Sequence, residues 1–172
     1  NPYKIEVGEQ VNAVTSYLDL SQIYASDFER MRKVRSFNGG RLKVDIKNIL
    51  PLENGKYFSG DSRAMQTPFL AIIHSLFVRN HNNIADKLGS LNRHWSEEKL
   101  FQEARKINVA IYQKFIYEEW LELFVGSESA DELKFSEYDI NADASTLNEF
   151  STAAFRIFHA FMPTKMEIRD EN

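Results

Sequence analysis

The sequence predicts a mainly α fold. Three observations carry that expectation. Apolar residues recur at the 3.6-residue helical period through most of the chain after residue 61, helix-start signals precede these runs, and strand-like alternation is scarce. The first run opens at Thr67-Pro68, a side-chain oxygen at the N-cap followed by proline at the first helical position. Phe69, Ile72, Ile73, Leu76, Phe77, Ile84 and Leu88 keep the period as far as Gly89. A second helix starts at Ser96, where Glu97 and Glu98 favour the positive end of the helix dipole. Its stripe is Leu100, Ala104, Ile107, Ile111 and Phe115. The pattern runs on to Gly126, long for one helix, which predicts a bend near Tyr117. A third helix opens near Ser145, carries Leu147, Phe150, Ala154, Ile157 and Phe161 on one face, and stops before Pro163. The expected segments are therefore 58–88, in which the helix follows a loop and opens at Thr67-Pro68, then the helices 96–125 and 145–162.

The N-terminal part is less regular. Val11 to Ile23 is apolar-rich without a clear period. Residues 28–61 are punctuated by Asn38-Gly39-Gly40, Leu50-Pro51, Asn54-Gly55 and Ser59-Gly60-Asp61, all turn signals.

Composition narrows the function classes. A chain of 172 residues suits one domain or part of one, and 43% hydrophobic residues suffice for a core. A net charge of −4 and a pI near 5.6 argue against a nucleic-acid or anionic-membrane partner, since both need a basic surface. No apolar run approaches the roughly 20 residues of a membrane-spanning helix. The longest, Phe69 to Val78, is broken by His74. The absence of cysteine removes disulfides, zinc thiolates and a catalytic thiol. There is no Asn-x-Ser/Thr sequon. The N-terminus lacks an initiator Met and a signal-peptide pattern, so the sequence reads as starting inside something longer.

Four histidines are the first candidates for chemistry. His74 and His81 lie two helical turns apart, roughly 10 Å, too far to share one metal. They read as core or capping histidines, and His94, beside Trp95 in a loop, reads as a surface residue. His159 is different: Arg156 lies one turn earlier on the same face, and Phe155, Phe158 and Phe161 surround it in sequence. A neutral imidazole among aromatic side chains suits a haem-iron ligand. A buried, hydrogen-bonded histidine on an ordinary amphipathic helix is equally compatible with the spacing.

Several segments, taken in order, resemble one family. They are the run Gln10 to Tyr24, Arg35-Ser36-Phe37-Asn38-Gly39-Gly40-Arg41-Leu42, Gly60-Asp61-Ser62-Arg63, the run His74 to Asn82, Trp95 with the run Leu100 to Ile107, and the run Asn148 to Arg156. Together they look like the animal haem peroxidases, closest to the peroxidasin and insect chorion-peroxidase branch, over nearly the whole chain. The resemblance implies that 1–172 is part of a single, largely helical haem peroxidase domain. It implies haem b and calcium as cofactors, hydrogen peroxide and a small halide, phenolic or tyrosyl reductant as partners, and a place outside the cell or in the secretory pathway. It makes His159 the proximal iron ligand and Arg63 the peroxide-side arginine, with Arg156 pairing with a haem propionate or supporting the proximal side. Thr15, Tyr17 (by its carbonyl), Asp19 and Ser21, in the calcium-loop segment 10–24, would supply hard oxygen donors. Without the resemblance that stretch is only a polar–apolar alternation.

The sequence also departs from the family pattern. Gln66 stands where a glutamate often forms a haem ester, and an amide cannot form that ester. Thr67 cannot form the sulfonium bond that a methionine supplies in one branch. Phe158 replaces the usual glycine before the proximal histidine, and Ala25 replaces a common glycine. The distal histidine belongs upstream of residue 1 in this family, and the partner of the proximal histidine lies beyond residue 172. Remaining segments of the same precursor are thus expected partners. The competing expectation is a peroxidase-homology module that does not catalyse and serves adhesion, maturation or matrix assembly.

Overall fold

A computed structural model describes residues 11–134, 137–165 and 167. Gln10, in the first resembling segment, lies outside the described residues. The chain divides into two units, one of residues 17–138 and one formed by residues up to 16 together with residues from 139 on.

The larger unit is mainly helical, as the sequence predicts. Its elements are α1 (Ser21–Tyr24), α2 (Phe28–Val34), the short strands β1 (Leu52–Glu53) and β2 (Lys56–Tyr57), α3 (Pro68–Leu91), α4 (Glu97–Phe115), a π-helical turn (Ile116–Trp120), α5 (Leu121–Val125) and α6 (Ser127–Glu132). The caps follow the sequence. Thr67 Oγ1 accepts from Leu70 N at 3.2 Å ahead of Pro68, and Ser96 Oγ accepts from Lys99 N at 3.2 Å. Asp27 caps α2 by accepting from Arg30 N at 2.8 Å, a helix hidden by its turn-rich surroundings. Asn54 and Gly55, both at positive φ, close the antiparallel β1–β2 hairpin. α3 does not stop at Gly89 but continues to Leu91. Near Tyr117, where the sequence predicts a bend, the helix is interrupted by the π-helical turn.

The core gathers Leu20, Ile23 and Tyr24 from α1 and its entry, Val34 from α2, Leu42, Leu50 and Ala64 from the stretch between α2 and α3, Val78 from α3 and Phe101 from α4. One finding reverses the sequence reading of α3. Its buried residues are His74, Ser75, Val78, His81, Asn82 and Ala85, whereas Phe69, Ile72, Ile73 and Leu76 stay half exposed. The physical reason lies in residues 35–50, which have almost no ladder of their own and must find backbone partners elsewhere. α3 supplies them. Asn82 accepts from Leu42 N at 2.8 Å and donates to Leu42 O at 3.2 Å, and His81 Nε2–H donates to Gly40 O at 2.8 Å. Gly40 also has to be glycine: a Cβ there would lie 2.6 Å from both Leu100 Cβ and Phe101 N. Arg35 ties the same region to the start of α4, bonding Glu97 and Glu98 at 2.7 Å each while its guanidinium lies 3.9 Å over the Phe101 ring.

In the smaller unit the expected helix over 145–162 is broken. α7 (Asn148–Thr152) ends at Ala153, whose φ of −126° and ψ of −69° leave the helical region, and a 3-10 helix follows over Ala154–Phe161. A three-residue turn stacks every third side chain. Phe155, Phe158 and Phe161 therefore form a ladder with ring centroids 5.0 and 6.2 Å apart. An α-helix would splay these three rings apart.

Candidate functional site

In the larger unit a cavity of about 740 Å³ opens between α3, α4, the π-helical turn and the loop after Gly60. Ile73, Leu76, Phe77, Ile111 and Phe115, read from sequence as core stripes, form much of its apolar wall. Gln22, Asp61, Arg63, Gln66 and His74 are among its polar residues. Two of the sequence-expected site residues, Arg63 and Gln66, thus share one cavity.

The loop that carries Arg63 is fixed from both sides. Gly60 approaches α1 so closely that a Cβ would lie 2.3 Å from Ala25 N and 2.5 Å from Ser21 O. Ala64 is fully buried and anchors the far end. Between them Asp61 N donates to Gln22 O at 3.0 Å, and Asp61 Oδ1 accepts from Arg63 N at 2.7 Å, an Asx turn. Asp61 then grips the Arg63 guanidinium with two oxygens, taking Nε at 3.0 Å and Nη2 at 2.7 Å. The hydrogen bond from Arg63 holds the Asp61 carboxyl below the ordinary carboxylate range, and Asp61 in turn raises Arg63. The result is a permanent cation with its plane fixed and its tip exposed.

His74 and His81 are both buried, as the sequence suggested, but they differ in satisfaction. Because Gly40 O can only accept, His81 carries its proton on Nε2, and Nδ1 accepts from the Tyr24 hydroxyl at 2.9 Å. Asn108 Nδ2 donates to the Tyr24 hydroxyl oxygen at 2.8 Å and to Phe77 O at 3.1 Å, and Asn108 Oδ1 accepts from Asn80 at 2.8 Å. Burial pushes His81 down to about 4 and raises Tyr24. In His74, Nδ1–H donates to Leu70 O at 2.6 Å, while Nε2 is buried and without a hydrogen-bond partner. An unmet buried acceptor costs about 1–3 kcal/mol. Burial lowers the His74 pKa, which keeps the ring neutral at pH 7, while the nearby Asp61 carboxylate opposes that shift. Sequence reasoning missed His74 as a cavity residue. The signal was its spacing: Leu70, Ile73, His74, Phe77 and Asn80 recur at three- and four-residue steps along one face.

His159 and Arg156 lie in the smaller unit, on the 3-10 helix, where three residues are one turn; both are exposed. The expected calcium residues divide between the units, Thr15 in the smaller and Tyr17, Asp19 and Ser21 in the larger. Asp19 Oδ1 accepts from Ser21 N at 2.9 Å. Among the described residues no group of three or more His, Cys, Asp or Glu is placed to hold a metal ion. The expected set, with one carboxylate, would not form such a group. His94 is exposed. Among the described residues no helix is long and apolar enough to cross a membrane. Ala25 takes φ 70° and ψ 161°, a conformation natural to glycine.

This chain is similar in sequence and fold to known proteins. It is 40% identical to "Peroxidase" of Drosophila melanogaster over 189 residues, covering 95% of this chain and 27% of that protein. It is 34% identical to "Peroxidasin homolog" of Caenorhabditis briggsae, covering 98% of this chain and 15% of that protein. Among solved structures, Peroxidase A from Dictyostelium discoideum superposes with a TM-score of 0.77 at 31% identity, covering 88% of this chain and 32% of that one. The chain thus spans about a quarter of the length of the first of these relatives. The family described as "Animal haem peroxidase" matches residues 2–172, and the chain belongs to that family.

Proposed function

We propose that the protein carrying this chain is a haem peroxidase that uses hydrogen peroxide to oxidise a halide, phenolic or tyrosyl substrate. One observation carries the reading: Arg63, held in plane by Asp61, stands in the wall of a largely apolar cavity of about 740 Å³. That volume falls within the roughly 300–1,000 Å³ of cofactor sites, and an apolar wall with a fixed cation fits a large planar group bearing carboxylates. The family implies haem, which when bound supplies the iron redox chemistry of peroxide reduction.

Each residue then has a role. The His159 imidazole would hold the iron. Arg63, charged at any working pH, stabilises negative charge developing on the departing peroxide oxygen, and Asp61 keeps it from swinging away. Arg156, one 3-10 turn before His159, would pair with a carboxylate of the bound group. Gln66 lines the same cavity but makes no ester, so the haem is not covalently linked there. Thr67 spends its hydroxyl on the α3 cap. Thr15, Tyr17, Asp19 and Ser21 would donate oxygens to calcium. Other segments of the same precursor supply the remaining catalytic groups, and the protein works outside the cell or in the secretory pathway.

In the full-length protein, His159→Ala is expected to abolish the Soret band and peroxide-dependent turnover. A Soret band that persists unchanged refutes the assignment. Acid-acetone extraction is expected to strip the haem, and haem retained on the polypeptide refutes the reading of Gln66. A second reading, a peroxidase-homology module that supports adhesion, maturation or matrix assembly without catalysis, rests on Gln66 and Phe158. Turnover in the wild type that is lost in His159→Ala excludes it.

A further inference from the structure

The loop that leads to Arg63 lies on α1 backbone to backbone. Gly60 makes that seat possible by lacking a Cβ, and for the same reason Gly60 has no side chain to key it in register. The residues on either side supply the key. Ser59 Oγ donates to Gln22 O at 2.9 Å, and Asp61 N donates to the same oxygen at 3.0 Å, so one carbonyl of α1 holds the loop on both sides of Gly60. Ser59 is only 2% exposed, and its own carbonyl accepts from Arg30 Nε of α2 at 2.9 Å. Packing and the Arg30 bond would both accept alanine at this position. The hydroxyl therefore adds a second point of attachment, and two points fix a direction where one leaves a pivot. Asp61 hangs from that bracket with the Arg63 guanidinium gripped at Nε and Nη2, so a shift of the loop carries the cation with it.

We propose that Ser59 is a positioning residue for Arg63: its hydroxyl, sharing the Gln22 carbonyl with the Asp61 amide, sets where the guanidinium stands in the cavity. The proposal rests on the peroxidase reading, in which that cation meets developing negative charge. There a misplacement of about 1 Å costs on the order of a hundredfold in rate.

The test uses the full-length, haem-loaded protein, as wild type and as Ser59→Ala. In the reduced protein with carbon monoxide as probe, the infrared C–O stretch falls as positive charge approaches the oxygen, so it reads the place of Arg63 without turnover. Ser59→Ala should move the band to higher frequency and broaden it. In steady state kcat/KM for hydrogen peroxide should fall about tenfold, while kcat/KM for para-cresol stays as it was. In an Arg63→Leu background the same substitution should change neither reading, because Ser59 acts through Arg63. An unmoved band overturns the proposal, as do equal losses toward peroxide and para-cresol or a further loss in the Arg63→Leu background. A Ser59→Ala protein that does not fold also overturns it, since the hydroxyl would then serve the fold and not the placing of one side chain. Failure of the peroxidase reading shows separately, as a wild type without a Soret band or without turnover.

Discussion

The two faces of α3 do opposite work. One face, Ser75, Val78, His81, Asn82 and Ala85, is buried and largely polar, and it satisfies the backbone of an irregular segment that has no sheet or helix of its own. The other, with Ile73, Leu76 and Phe77, is apolar and forms a cavity wall. The difference teaches that hydrophobicity alone does not decide which side of a helix faces the core. A loop-rich neighbour needs hydrogen-bond partners more than it needs methyl groups, because an orphaned buried peptide costs about as much as a lost apolar contact.

The sharpest way to break this comparison is at His81. His81→Ala removes the acceptor of the Tyr24 hydroxyl proton and the donor to Gly40 O, and the expected loss is about 3–5 kcal/mol in urea unfolding. His74→Ala, which gives up one hydrogen bond and an unmet acceptor, should cost clearly less. Equal losses would erase the distinction between the two histidines. The next effect is acid sensitivity. His81 is held at about 4 against an ordinary 6.5. As pH falls through that window the unfolded chain binds a proton that the folded chain refuses. Stability present in full above 6.5 is then lost by roughly 3 kcal/mol as pH reaches 4. Comparing urea midpoints of wild type and His81→Gln across that range isolates the contribution. His74, lowered in the same direction by burial, adds to the loss with the same sign. Asn82→Ala should cost about 2 kcal/mol by freeing both polar groups of Leu42, read as a drop in melting temperature. The smallest effect is a gain. Ala25→Gly relieves a positive φ and should raise stability by about 1 kcal/mol, and a lower melting temperature would refute the strain.

Much of this was legible in the residues. Thr67-Pro68 and Ser96 announced their helices because a cap is a local hydrogen bond that needs no tertiary partner. The ordered blocks from Gln10 to Arg156 carried the family resemblance, and the overlong second helix announced its interruption near Tyr117. Three things were not legible. The buried side of α3 depends on what Leu42 and Gly40 need, which no helical period encodes. The split of 145–162 depends on Phe155, Phe158 and Phe161 stacking at every third residue, a spacing that an amphipathic α pattern also tolerates. The open valence of His74 depends on the carbonyl of Leu70 one turn away, and an isolated histidine in a sequence does not declare which nitrogen is already used.

The π-helical turn at Ile116–Trp120 has a consequence for how this segment tolerates change. A π turn holds one residue more than the α turn it replaces, and one residue is about 100° of rotation. Ile116 and Trp120 reach the cavity wall with that extra residue in place, and Trp120 stacks on Phe124 with ring planes 12° apart. Deleting a single residue here would leave a more regular and locally more comfortable helix. It would also turn everything downstream, through α5, about a quarter of the way around its axis. Substitutions in this turn are therefore tolerable where a deletion is not: its length, more than its chemistry, is what the cavity requires.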